Sequence, residues 1–292
     1  MDATSTAAHS IPHITLKPRP GWQVIDVREI IAYRDLFFFL IWRDIKVRYA
    51  QSVLGLGWAI LQPVFQTGVI TVIFGGIAKM DAPYHWPYLL FSFVGTLCWN
   101  LFSTGVNDAA GTLVGNANMI SKVYFPRMLL PLTVVLGKLV DHLIGLVVLA
   151  GFMVYMGTSS RFAEYSFAPT PYLLILPALI LLTMLSSAGV GMWLTSMAVQ
   201  YRDVRYIMGF AIGMLMWGSP VVYSTDKVPD AYRLIYGLNP MVGVIEGFRT
   251  ALLGSQPMPW DLLGLSALVS VVLFLSGALY FRRTERYFAD VV

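Results

Sequence analysis

The chain has 292 residues, of which 57% are hydrophobic and 12% charged, with a formal net charge of +4 and a mean hydropathy of +0.67. A soluble globule carries about 25% charged residues, because its surface must be solvated. This composition excludes a soluble domain and implies an all-α integral membrane protein that crosses the bilayer several times.

The opening stretch, Met1 to Gly21, mixes prolines with small polar residues and has no apolar run of the signal-peptide kind. Residues 1–26 are expected to form a loosely ordered cytoplasmic tail. Residues 27–52 hold a seven-residue apolar run, Leu36–Trp42, flanked by Arg34-Asp35 and by Arg43-Asp44 with Lys46 and Arg48. That run is too short to span, so an interfacial amphipathic helix with its aromatics at headgroup level is expected.

Residues 53–292 form the transmembrane domain. A crossing takes about 20 predominantly apolar residues, and six stretches qualify: Val53–Ala78, Tyr88–Gly111, Leu129–Met156, Pro171–Val199, Tyr206–Val222 and Leu262–Phe281. The fifth is the shortest and is interrupted near Gly218-Ser219-Pro220. Between spans five and six, Val221–Trp260 is too apolar for a solvated loop and is broken by Pro229, Asn239-Pro240 and Gly254. Re-entrant helices are expected there, because irregular backbone at membrane depth must be covered by protein or line a cavity.

Lysine and arginine set the orientation. Fourteen lie in the segments expected on one side: the N-terminal region, the loops after spans two and four, and the C-terminus. Five lie opposite, Lys79, Arg161, Lys227, Arg233 and Arg249, and Lys138 is inside span three. Both termini are therefore expected in the cytoplasm. Gly111-x-x-x-Gly115, Gly209-x-x-x-Gly213 and Gly243-x-x-x-Gly247 permit close helix contact and are weak pointers to an oligomer interface.

The chemistry of catalysis is sparse. The sequence has no Gly-x-x-x-x-Gly-Lys-Ser/Thr loop, so nucleotide binding of that kind is not expected in this chain. Its four histidines are scattered and Cys98 is alone, which argues against a metal site and a disulfide. Lys138, Asp141 and His142 share one face of span three at i, i+3 and i+4. Ionisable groups at that depth are costly and functional by default. A proton relay and a self-neutralising Lys–Asp pair are the two readings, and the pair is preferred. Trp193, Trp217 and Tyr223, beside the interrupted fifth span, are expected to line a channel, where aromatic faces stack on sugar rings.

The run from Arg43 through Asp44, Ile45, Lys46, Val47, Arg48 and Tyr49 to Gly57-Trp58, closing in Leu61-Gln62-Pro63, resembles the opening motif of polysaccharide-export permeases. These are the membrane subunits of type-two ATP-binding-cassette transporters. Phe125-Pro126-Arg127 with Leu129-Leu130-Pro131 resembles the family's first cytoplasmic loop, and Tyr201-Arg202-Asp203 its second. Ser219-Pro220-Val221-Val222-Tyr223, Asn239-Pro240 and Phe248-Arg249 resemble its external re-entrant region.

The resemblance implies a homodimeric pore in the bacterial inner membrane and two copies of a separate ATPase, which would bind the ATP and Mg; no cofactor is expected in this chain. It implies export of an undecaprenyl-pyrophosphate-linked glycan, O-antigen first and capsule or teichoic acid as the alternative. On that reading Arg43, Lys46 and Arg48 receive the pyrophosphate through charge-assisted hydrogen bonds. The loop Gly115–Leu130 couples to the ATPase through Met119, Lys122, Tyr124, Phe125 and Arg127. A proton-coupled transporter would instead need the Lys138–Asp141–His142 face to titrate. A membrane enzyme would need convergent carboxylates, and Asp81, Glu164, Asp226 and Asp230 are dispersed.

Overall fold

The computed structural model describes residues 27–50, 54–82, 86–158, 170–201, 203–254 and 257–285. The expected tail, residues 1–26, lies outside the described residues, as do Val53, Arg202 and Arg286. Everything described is helix or short connection. In chain order the helices are α1 (Val27–Ala32), α2 (Arg34–Tyr49), α3 (Gly57–Ile70), α4 (Tyr88–Gly115), α5 (Ala117–Ile120), α6 (Leu129–Thr158), α7 (Leu176–Gln200), α8 (Val204–Trp217), α9 (Asp230–Gly237), α10 (Pro240–Leu253) and α11 (Trp260–Thr284). A π-helical turn, Thr71–Ile77, extends α3, and a 3₁₀ turn, Pro171–Ile175, leads into α7.

Among the described residues five helical stretches are long and apolar enough to cross a membrane: Gly57–Ile77, Tyr88–Gly115, Leu129–Thr158, Pro171–Gln200 and Trp260–Thr284. The expected fifth span, Tyr206–Val222, is different. Its helix α8 ends at Trp217 after 14 residues, a length of about 21 Å against a hydrocarbon core of about 30 Å. Gly218-Ser219-Pro220 stops it, since proline can neither donate the next backbone bond nor clear the preceding turn.

The central helix is α4, enclosed along most of its length by α3, α6, α7 and α10. Lipid gives helices no hydrophobic reason to associate, so close packing and interhelical hydrogen bonds hold such bundles. The sequence supplies small hydroxyl residues where they are needed. Ser187 donates to the Phe102 carbonyl at 3.1 Å and Thr195 to the Ala109 carbonyl at 2.8 Å, tying α7 to α4. Ser186 and Ser270 pair at 2.7 Å between α7 and α11. These two helices touch backbone to backbone where Gly277 meets Gly189, leaving no room for a Cβ.

At one end of the bundle Leu40, Leu113, Phe125, Met128, Leu129, Leu130 and Phe281 form a cluster that fastens α2 and α11 to the start of α6. The amphipathic reading of α2 needs correction. Leu36, Phe37 and Leu40 face this cluster, while Phe38, Phe39 and Trp42 are exposed on the opposite side. The helix is thus apolar around its first half, with its charges gathered at the ends. Its last turns run along α6 and carry Arg48 to Gly137 and Asp141.

At the other end, α10 is almost wholly buried against α4, α7 and α11. Its start is fixed by Asn239, whose side chain accepts from the Met241 amide at 3.0 Å, an N-cap followed by proline at the first helical position. Gly254, in the left-handed conformation at φ 67°, ends it.

Candidate functional site

The three helices that meet behind α2 enclose a cleft of about 190 Å³. Apolar spans would ordinarily close such a gap with aliphatic side chains. Here Arg48 and Tyr49 of α2, Gln62 of α3, Asn100 and Thr104 of α4, and Lys138, Asp141 and His142 of α6 turn polar groups toward it, with Trp58 at its edge. Within a membrane span each such group is expensive, so their convergence marks a place built for water or a polar ligand.

The charges are arranged across helices and not along one. Arg48 pairs with Asp141, which also accepts from the Tyr49 hydroxyl. Lys138 pairs with Asp108 of α4. The expected Lys138–Asp141 pair within α6 is therefore replaced by two interhelical pairs. An i, i+3 spacing puts both groups on one face, but each finds its partner on a neighbouring helix, Asp141 on α2 and Lys138 on α4. Burial, reinforced by the hydrogen bond and charge of Asp141, pushes the Tyr49 phenol up from 10.0 to about 12. It stays protonated and donating. His142 lies deepest, 2% exposed, edge-on to Phe248 of α10 at 5.7 Å, with neither ring nitrogen hydrogen-bonded among the described residues.

The expected basic trio does not converge. Arg48 faces the cleft, whereas Arg43 points the other way, holding Asp44 at 2.9 Å and the Asn116 side-chain oxygen at 3.1 Å. Lys46 is exposed. The three side chains on α2 thus do separate things, and the second cation in the cleft is Lys138.

The expected coupling residues also divide. Lys122, Val123 and Tyr124 are exposed at the tip of the connection between α5 and α6. Phe125 is 4% exposed inside the cluster around Leu40 and Phe281, so it is an anchor of the bundle itself and cannot also insert into a partner. Met119 packs beside the same cluster and touches Arg43 through its sulfur at 3.9 Å. Arg127 donates to the Glu285 carbonyl at 2.9 Å, binding the connection to the end of α11.

Of the expected channel aromatics, Trp193 stacks on Tyr280 at 4.3 Å and 14° and donates to Ser276 at 3.1 Å, which seats it between α7 and α11. Trp217 and Tyr223 do lie together. The Tyr223 hydroxyl donates to the Trp217 carbonyl at 3.0 Å, and Trp217 packs on Phe74 at 5.9 Å.

One group escaped the sequence reading. Arg249, counted there among the outward-facing charges, is buried in α10. It pairs with Glu246 at 3.0 Å, donates to the Val221 carbonyl at 2.9 Å and lies 3.5 Å over the Phe91 ring. Its guanidinium supplies the donors that the non-helical turn after α8 lacks. Asn239 completes the clamp with a 2.8 Å bond to Ser219. The signal available in the sequence was a Glu–Arg pair at i, i+3 inside an otherwise apolar helix.

Residues 35–253 match the family model described as ABC-2 type transporter. The chain is 28% identical over 264 residues to an O-antigen export system permease protein, RfbA, of Myxococcus xanthus, covering 89% of this chain and 97% of that protein. It is 22% identical over 258 residues to an O-antigen export system permease protein RfbA of Klebsiella pneumoniae, covering 88% and 95%. It is 25% identical over 248 residues to the polysialic acid transport protein KpsM of Escherichia coli, covering 83% and 91%.

Proposed function

The chain belongs to the ABC-2 type transporter membrane family, and from that premise we propose that it is the membrane subunit of an exporter that moves a lipid-linked polysaccharide, O-antigen by preference, across the bacterial inner membrane. The observation that carries this reading is end-to-end similarity to O-antigen export permeases, over 97% of the length of one of them. The similarity to a polysialic acid transport protein keeps capsule-type glycans as the second reading.

The permease works with a separate ATPase, to which ATP and Mg bind. Its contact on this chain is the connection carrying Lys122, Val123 and Tyr124, exposed beside a rigid anchor at Phe125. An ATPase can drive the pore only through contacts that differ between its nucleotide states, and an exposed tip on a buried anchor transmits such a difference. Both termini lie in the cytoplasm. The burial of Arg249 removes one charge from the outer side and sharpens the asymmetry.

Two copies of the chain form the pore. The uncovered faces of α3 and α8 adjoin through the Phe74–Trp217 contact and expose Phe65, Val69, Phe210 and Met214; Gly209 and Gly213 on α8 leave open space for close approach. The pyrophosphate of the substrate is received at the same end as α2, where Lys46 is exposed and best placed to meet it, Arg48 being already held by Asp141. A proton-coupled mechanism is disfavoured because both acidic partners in the membrane, Asp108 and Asp141, are already paired with cations.

The test is genetic and biochemical together. Cells lacking the chain should retain the lipid-linked glycan on the inner face. Restoration of surface glycan should require both this chain and an ATPase competent for hydrolysis. Export that persists with a hydrolysis-dead ATPase would reject the reading.

A further inference from the structure

The cleft between α3, α4 and α6 is unexplained by a pore between two copies, since one chain alone encloses it. Its charges cancel in pairs: Arg48 with Asp141 and Lys138 with Asp108. An anion could enter only by breaking those pairs, leaving a carboxylate uncompensated at membrane depth. A neutral polyol needs no such exchange. It brings donors and acceptors in equal measure, which is what the walls offer: the carboxamides of Gln62 and Asn100, the latter also donating to Gln66 at 3.0 Å, with the His142 ring at the inner end.

Both ring nitrogens of His142 are buried behind the cleft wall and neither makes a well-formed hydrogen bond among the described residues, so a turn of the imidazole would bring one of them to a bound hydroxyl. A polar group in that state carries a desolvation cost that a bound hydroxyl would remove. Trp58 at the edge offers a flat apolar surface to the C–H face of a sugar ring. The volume, about 190 Å³, lies below the roughly 300–1,000 Å³ of ordinary ligand pockets and suits one small ring.

We propose that this cleft is a binding subsite for a single neutral sugar ring, lined by His142, Asn100, Gln62 and Trp58 within each copy of the chain. The inference rests on the exporter reading and deepens it. A sugar held here would lie behind the last turns of α2 and so beside the pyrophosphate end of the substrate. The paired charges serve as a fixed polar wall and do not titrate or exchange during binding.

The experiment uses the full-length chain in lipid nanodiscs with Cys98→Ala as background and Thr104→Cys, on the cleft wall but outside the named subsite residues, as reporter. The rate of its reaction with a small methanethiosulfonate is measured against added methyl pyranosides or inorganic pyrophosphate. Competitive occupation slows labelling by 1 + [L]/Kd, about threefold at twice the Kd. The expected result is slowing by at least one neutral methyl pyranoside, none by pyrophosphate, and loss of the slowing in His142→Ala. Ala59→Cys serves as a second reporter should Thr104→Cys assemble poorly.

Slowing by pyrophosphate alone would overturn the proposal in favour of an anion site. No slowing by either probe would overturn it in favour of a merely hydrated cleft. Glycan export measured in cells keeps the two readings apart. Export by the reporter variant without sugar protection rejects the subsite and leaves the exporter standing. Failure of the wild-type chain and its ATPase to export any glycan rejects the exporter itself.

Discussion

Arg48 and Asp141, 93 residues apart in sequence, join the last turn of α2 to the middle of α6. The pair, with the Tyr49 hydroxyl on the same carboxylate, decides how closely α2 lies against the bundle and so how the cleft behind it is closed. Both side chains retain partial exposure, 24% and 30%, which weakens the attraction relative to a fully buried pair. Asp141→Asn should therefore loosen α2 at a cost of about 1.5–3 kcal/mol, the range for hydrogen bonds to charged groups. Limited proteolysis at the α2 end and thermal melting in detergent would register it. Arg48→Ala combined with Asp141→Asn should cost less than the sum of the two single changes; strict additivity would show that the two residues do not interact.

Phe125 and Tyr124 are neighbours with opposite fates. Truncating the buried ring, Phe125→Ala, opens a cavity among Leu40, Leu113 and Phe281 and should cost about 3–5 kcal/mol. Folded yield and melting temperature should both fall. Tyr124→Ala removes an exposed ring and should leave stability within about 0.5 kcal/mol, while weakening ATPase association and export. Pull-down of the ATPase with each variant separates the effects. A Tyr124→Ala protein that binds its ATPase normally would remove this connection from coupling.

The buried Arg249–Glu246 pair carries the turn Gly218–Ser224. Arg249→Ala leaves Glu246 uncompensated and the Val221 carbonyl unpaired, a loss of about 3–5 kcal/mol. Gly95→Ala should act at the same place from the other side, since its Cβ would meet the Val221 carbonyl oxygen at 2.7 Å. Both variants should show reduced melting temperature. A stable Arg249→Ala chain with normal export would refute the clamp.

The positive-inside tally yields a labelling pattern. Cysteines at Asp230 and Ala163 should react with an impermeant reagent in spheroplasts, and cysteines at Ser121 and Ala289 should react only after the membrane is opened. Reaction of Ser121→Cys from outside would invert the orientation.

The membrane class, the longer spans and the family were legible because hydropathy over about 20 residues and a long motif are local signals. The end of α8 was only half legible. Gly218-Ser219-Pro220 signalled an interruption, but the donors that make an early stop tolerable belong to Arg249 and Asn239, more than 20 residues downstream. The site fared worse for the same reason. Periodicity puts Lys138 and Asp141 on one face but cannot show that Arg48 and Asp108 arrive from α2 and α4. Nor does composition distinguish Phe125, turned inward, from Tyr124, turned out; that choice is made by the position of Leu40 and Phe281.

The most direct test of the central claim is reconstituted transport. The chain and its cognate ATPase, in proteoliposomes with an undecaprenyl-pyrophosphate-linked glycan on the ATPase face, should move that glycan to the opposite face on addition of ATP and Mg. Glycan accessible to a lectin or glycosidase on the far side should accumulate with time and stay at background with a hydrolysis-dead ATPase. Movement that follows a proton gradient without ATP, or no movement although both subunits are assembled and hydrolysing, would contradict the account.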